Sequence, residues 1–327
     1  MTSRLTPGTV VLLSLAPLLW AGNAVVGRMV HELVPPVLLN LLRWSLAFVL
    51  LLPLAAGVLR PASALWRQWR HYALLGLLGI GLYNTLQYMA LQTSTPLNVT
   101  LVGSSMPLWM LALGTLFFGL RITRRQAAGA ALSMLGVLLV LSRGQWSALL
   151  ALRLVPGDLF MLLATLSWSL YSWLLVPAAR APANGTDSAD GADRASAASA
   201  ADRENGADGL RGHWAHFLMA QLVFGVGWSG LLAGGEWALG SPAPVVWGTP
   251  LVLALLFIAV GPAIIAYRCW GMGVQRVGPA VAGFFTNLTP LFAALLSAVF
   301  LGEVPHWYHA GAFVLIVGGI VVSSSRR

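Results

Sequence analysis

The sequence predicts an all-α integral membrane protein: ten transmembrane helices arranged as two inverted five-helix repeats. Three observations carry this. The chain is too apolar for water, its apolar runs have the length of a bilayer crossing, and its two halves share one register. Of 327 residues, 58% are hydrophobic and only 9% charged, where a soluble domain has roughly 25% charged. Mean hydropathy is +0.79. Many segments are apolar on every face, so no amphipathic stripe makes a soluble fold workable.

A spanning helix needs about 20 apolar residues. Ten runs fit: 9–27, 35–55, 72–91, 97–118, 125–142, 156–176, 214–233, 250–271, 280–301 and 307–323. They lack the apolar–polar alternation of barrel strands. Helices satisfy their own backbone groups in lipid, so a bundle follows. The first run has no signal-peptide cleavage pattern and contains Trp20 and Asn23, with Arg28 just beyond it. It reads as the first helix of the bundle.

Formal charge is +9, and every one of the 19 basic residues is Arg. With the N-terminus inside, inside segments hold 15 of them: Arg4, Arg60, Arg67, Arg70, Arg121, Arg124, Arg125, Arg180, Arg194, Arg203, Arg211, Arg268, Arg276, Arg326 and Arg327. Outside segments hold Arg28, Arg143 and Arg153. This asymmetry predicts a multi-pass protein of the cell membrane with both termini cytoplasmic. It also accounts for the basic pI of about 11.0 without nucleic acid. A single cysteine, Cys269, excludes an intrachain disulfide and a Cys-based metal cluster.

The stretch 178–212 breaks the pattern. It is rich in Ala, Asp, Gly and Ser, its only large apolar residue is Leu210, and it holds six of the ten acidic residues. It reads as a disordered cytoplasmic tether between the sixth and seventh helices.

The halves align. From Thr95 the chain reads "TPLNVTLVGSSMPLWMLALGTLFFGL"; from Gly278 it reads "GPAVAGFFTNLTPLFAALLSAVFLGE". Pro96 meets Pro279, Pro107 meets Pro290, Gly119 meets Gly302 and Gly136 meets Gly319, each pair 183 residues apart. "LLWAGN" near Trp20 and "LSWSLY" near Trp168 match in kind. Residues 1–145 form one five-helix unit and 146–327 the other. Five is odd, so with both termini inside, the second unit is inserted upside down. Inverted repeats around a midplane site are a signature of secondary transporters.

At these residues the chain resembles the drug/metabolite transporter superfamily, in its EamA-like ten-helix branch. The resemblance rests on "LLWAGNAVVGR", "NLLRW" with Arg43, "YMALQTSTPLNVTLVGSSMPLW", "NLTPLFAALLSAVFLGE" and "AGAFVLIVGGIVV", in that order. It covers essentially everything except 178–212. It implies ten helices, two inverted repeats and a central cavity made by both, used to export or exchange small metabolites. The Gly-Glu pair that ends the fourth helix of a repeat is Gly302-Glu303 in the second, but Gly119-Leu120 in the first.

Asn84, Gln87 and Tyr88 share a helix face, with Tyr83 beside them. In hydrocarbon a lone amide costs several kcal/mol, so the face turns inward, as interhelical glue or as a cavity wall. Arg43 lies about 12 Å into its helix at 1.5 Å per residue. That depth marks a functional-site candidate, suited to a carboxylate or phosphate; a carbonyl-capping or snorkelling Arg is the alternative. By position its counterpart in the seventh helix is Gln221. Trp20 with Asn23, and Trp168 with Tyr171, repeat an i, i+3 spacing, so Trp20 and Trp168 are placed to sandwich an apolar part of a solute or simply to pack. Asn287 aligns with Ser104 and joins the binding candidates. Pro107 and Pro290 are candidate kinks. The acids outside the tether, Glu32, Asp158, Glu236 and Glu303, all fall near helix ends, which disfavours an acidic proton relay.

A secondary transporter of a small polar metabolite, amino-acid-like or otherwise anionic or zwitterionic, is therefore expected. It would work by alternating access as an exporter or exchanger, without cofactor, metal or enzymatic activity. The expected partners are the solute and the bilayer, with the chain a monomer or homodimer. A channel or an intramembrane enzyme is the alternative, but no nucleophile elbow, metalloprotease motif or P-loop is present. Deleting residues 183–208 should leave membrane insertion and solute transport largely intact, measured in vesicles. Abolished transport would give the tether a further task.

Overall fold

The computed structural model describes residues 5–30, 32–94, 96–145, 147, 155–176, 210, 213–240, 244–301 and 306–324. Of the predicted tether, only Leu210 lies among them; it is helical and packs into the main core. Every regular element among the described residues is helical.

Among the described residues, ten long helical runs overlap the apolar runs of the sequence: α1 (Pro7–Met29), α2 (Pro36–Ala55), α3 (69–93), α4 (96–117), α5 (Arg124–Leu141), α6 (Pro156–Leu174), α7 (Trp214–Leu239), α8 (Thr249–Val277), α9 (279–301) and α10 (Trp307–Ser324). Eight are long and apolar enough to cross a membrane. The other two, α3 and α6, are equally helical. Their hydropathy is lowered by the residues that draw functional interest: Tyr83, Asn84, Gln87 and Tyr88 on α3, and Ser167, Ser169, Tyr171 and Ser172 on α6.

Local chemistry sets the starts. Proline opens α1, α2 and α6, where its missing N–H costs nothing. Thr123 and Gln126 cap α5 reciprocally: Gln126 N donates to Thr123 Oγ1 at 3.2 Å and Thr123 N to Gln126 Oε1 at 2.9 Å. Asp158 accepts from Val155 N at 2.9 Å through Oδ2 and from the Ser94 hydroxyl through Oδ1. This carboxylate therefore caps α6 and ties it to the end of α3. Gly119 follows α4 with φ 65°, a left-handed conformation glycine adopts without a Cβ penalty. Pro107 and Pro290 do not sit at mid-helix kinks. The breaks fall just before them, at Ser104–Ser105 in α4 and in the 3-10 turn Gly283–Asn287 of α9. Each proline lies in the first turn of the following segment, where no intrahelical bond is lost.

The 183-residue register reappears in backbone geometry. Helix α3 is interrupted by a π-helical stretch at Gly76–Leu82, and α8 by one at Ala259–Ile265. The ends of α5 and α10, 124 to 307 and 141 to 324, keep the same separation. Packing follows it too. The main contacts are α5 on α10, α2 on α7, α3 on α6, α1 on α8, α3 on α7, α1 on α9 and α4 on α6, with α2 also packing on the π stretch of α8. Exchanging each helix with the one five places on turns this set into itself.

The α5–α10 seam is built on glycine. A Cβ on Gly129 would lie 2.6 Å from the Gly319 carbonyl oxygen, and one on Gly319 would lie 2.7 Å from the Gly129 oxygen. Gly136 meets Ile316 and the Ala312 carbonyl in the same way. Small residues let backbones approach closely where no hydrophobic effect drives helices together. Gly319→Leu should cost about 1–3 kcal/mol by overpacking, read as a lower Tm of the detergent-solubilised protein. An unchanged Tm would show that the seam has slack.

Candidate functional site

An aromatic layer fills the middle of the bundle. Trp168 of α6 is its hub, with ring centroids 5.1 Å from Trp20, 4.9 Å from Tyr83, 5.0 Å from Tyr171, 5.4 Å from Tyr267 and 5.8 Å from Trp270. Trp44, Trp168, Trp270 and Tyr171 are among the largest fully buried side chains. The Trp20 and Trp168 rings meet each other edge to face at 89°. In this conformation they close on one another and leave no slot between them.

Side chains fasten this layer to the two π stretches. The Tyr267 hydroxyl donates to Gly79 O, Ser167 Oγ to Leu78 O at 2.8 Å, and Asn40 Nδ2 to Ile80 O at 3.3 Å. On the other side Trp20 Nε1 donates to Pro262 O at 3.3 Å. A π turn disrupts the regular i→i−4 ladder, and such bulges recur at functional sites. Gly79 allows the closest approach: a Cβ there would sit 2.7 Å from the Tyr171 ring.

Arg43 lies on one side of the layer, 2% exposed. Its guanidinium stands 4.7 Å from the Trp44 ring centroid, and Trp44 contacts Tyr267 at 4.9 Å. Tyr83, Tyr267 and Tyr88 lie in the same neighbourhood. Asn84 lies beside Tyr267. Arg43 Nε, Asn84 Nδ2, Asn23 Oδ1, Trp44 Nε1 and Trp168 Nε1 are buried without a hydrogen-bond partner. Orphaned polar atoms at this density call for explanation, since each normally costs about 1–3 kcal/mol. Gln87 and Tyr88 are half-buried.

On the other side is an open cavity of about 330 Å³. Tyr171, Gln221 and Tyr267 line it, together with Trp214, Arg268, Gly271, Gln275 and Arg276. Tyr171 donates to Gln221 Oε1 at 2.9 Å, and Gln221 Nε2 donates to Phe217 O at 3.1 Å.

The structure thus gathers Trp20, Arg43, Tyr83, Asn84, Tyr88, Trp168 and Tyr171 into one neighbourhood and puts Gln221 on the cavity wall. Asn287 uses one of its polar atoms on a neighbouring helix and leaves Oδ1 without a partner. It is 1% exposed and donates to Ser133 Oγ at 2.8 Å, bridging α9 to α5. The residues that sequence reading passed over are Trp44, Tyr267 and Trp270. The repeat register points to two of them: Tyr267 and Trp270 stand 183 residues after Asn84 and Gln87. They occupy the same helix face in the second half.

Residues 8–142 and 210–325 match the EamA-like transporter family, which covers most of the chain. The chain belongs to that family. An uncharacterized transporter of Archaeoglobus fulgidus is 24% identical over 328 residues, covering 98% of each chain. The aromatic amino acid exporter YddG of Ancylobacter novellus is 27% identical over 296 residues, covering 89% of this chain and 88% of that one. A solved crystal structure shares the fold, with a TM-score of 0.69 at 24% identity over 98% of this chain and 96% of its own.

For this EamA-like protein, the two central tryptophans should respond differently to loss of the indole N–H. Trp20→Phe strands the Pro262 carbonyl and should cost about 1–3 kcal/mol more than Trp168→Phe, whose N–H has no partner to lose. Tm values of both variants test this. Equal losses would mean that ring volume alone matters.

Proposed function

We propose that the protein is a secondary transporter that exports or exchanges a small metabolite carrying a carboxylate and an apolar or aromatic portion. The observation that carries this is Arg43: a cation 2% exposed and stacked on Trp44, with no acidic side chain paired to it among the described residues. A charge buried in a membrane is costly unless paired and is a functional site by default. A solute carboxylate supplies the missing counter-charge, and the aromatic cluster takes up the rest of the molecule. The Ancylobacter relative, an aromatic amino acid exporter, agrees with that chemistry.

The mechanism we infer is alternating access between two inverted five-helix repeats, with ten crossings and both termini cytoplasmic. The shared register, the paired π stretches and the exchangeable packing support the repeats. The 15-to-3 arginine asymmetry supports the orientation. On that orientation the 330 Å³ cavity opens to the cytoplasm and the aromatic layer is the outer barrier. Transport then requires Trp20 and Trp168 to part while Tyr171, Gln221 and Tyr267 close. Asp158 caps a helix and Glu236 lies in the last turn of α7; neither sits at mid-span. Exchange or facilitated movement therefore fits better than a carboxylate proton relay.

Proteoliposomes should show saturable counterflow of labelled L-phenylalanine or 3-phenylpropionate; an unsaturable flux would favour a channel. Arg43→Ala should raise KM about ten- to a hundredfold at unchanged Tm, since a charged hydrogen bond contributes about 1.5–3 kcal/mol. Arg43→Lys should recover part of this, because Lys keeps the charge but not the planar fork. Unaltered KM in Arg43→Ala would make Arg43 structural.

A further inference from the structure

We infer that Arg268 and Arg276 form an anion-loading site at the cavity mouth, where a solute carboxylate binds before it reaches Arg43. This rests on the transport reading above and adds a second, outlying subsite to it.

Arg268, Gly271, Met272 and Gln275 recur at helical spacing and all line the cavity, so one face of α8 is its wall. Arg276 continues that wall toward solvent. Arg268 is held in place: its guanidinium lies 4.5 Å from the centroid of Trp214, which borders the same cavity. A guanidinium stacked on a ring keeps its in-plane N–H donors free for a carboxylate, and stacking has already reduced its conformational freedom. Among the described residues, none that lines the cavity is acidic. A cleft lined by charge of one sign with apolar walls focuses the field and concentrates counter-ions by about 10- to 1000-fold. The positive-inside rule explains why arginines lie at this end of the bundle. It does not explain why two of them border one cavity whose inner wall is Tyr171, Gln221 and Tyr267.

The test reads local potential without requiring transport. A Cβ on Gly271 would meet nothing within 4 Å, so Gly271→Cys, in a Cys269→Ser background, places a reporter thiol in the cavity; Gln275→Cys is a second reporter. The protein is held in nanodiscs of phosphatidylcholine at low ionic strength. It is labelled with an anionic sulfonatoethyl or a cationic trimethylammonioethyl methanethiosulfonate, and rates are normalised to a free thiol. We expect the anionic reagent to be favoured about tenfold. Arg268→Gln with Arg276→Gln should bring the ratio near one. 3-Phenylpropionate should slow labelling, whereas 3-phenylpropanol should not. Parity in the parent protein, a preference that survives both substitutions, or equal protection by the alcohol would each overturn the site. Loss of the preference on adding phosphatidylglycerol would assign the site to lipid headgroups and overturn the solute reading. An intact anion preference in a protein that moves no carboxylate would count against the proposed function and leave the loading site standing.

Discussion

A polar group in hydrocarbon must find a partner inside the protein, and this constraint organises the bundle. Water is not there to satisfy an amide, an indole N–H or a guanidinium, so each one buried represents a cost of several kcal/mol until it is bonded. Most such groups here are accounted for. Asp158 caps a helix, Asn287 bridges to Ser133, and Tyr171 and Gln221 bond one another. Arg43, Asn84, Trp44 and Trp168 retain polar atoms without a partner around one aromatic layer, and Asn40 Oδ1, Thr85 Oγ1, Glu236 Oε2 and Asn287 Oδ1 lack one as well.

The π stretches show how the backbone serves the same end. A regular helix offers no free carbonyls in mid-membrane. The two altered stretches accept side-chain donors from α1, α2, α6 and α8. The layer is therefore fastened to backbone at two equivalent points, one in each half. Such points suit a structure that has to repack without losing hydrogen bonds, because a donor released from one carbonyl has neighbours to accept it.

The helical class and the order of the apolar helices were legible in the sequence because lipid demands long uninterrupted apolar runs. The polar face at Asn84 and Tyr88 and the deep Arg43 were legible for the converse reason: a costly residue in such a run stands out. Tyr267 and Trp270 did not stand out, since an aromatic in an apolar run is ordinary. Only the 183-residue register singles them out. Asn287 illustrates the reverse difficulty. A buried amide looks the same in sequence whether it bridges two helices or faces a cavity, and only the position of Ser133 decides between them. The π stretches have no local signature either; Gly76, Gly79 and Gly81 permit one and Pro262 forces part of the other, but neither pattern is diagnostic.

The two halves keep the same packing yet differ in chemistry at equivalent points. Asn84 corresponds in the 183-residue register to Tyr267 and Tyr88 to Gly271, and Arg43, eighth residue of α2, matches Gln221, eighth residue of α7. Under the proposed inverted arrangement, each residue on the Arg43 side of the layer has a counterpart on the cavity side that is smaller, or aromatic, or uncharged. Equal packing would keep the two end states of the proposed alternating access close in energy. On the proposed function, unequal chemistry would have a carboxylate meet different partners from the two sides: exposed Arg268 and Arg276 on one, buried Arg43 on the other. Affinity on the two faces is then set separately, by side chains that leave the helix contacts untouched. Fold symmetry and functional direction can in this way reside in different residues of the same helices.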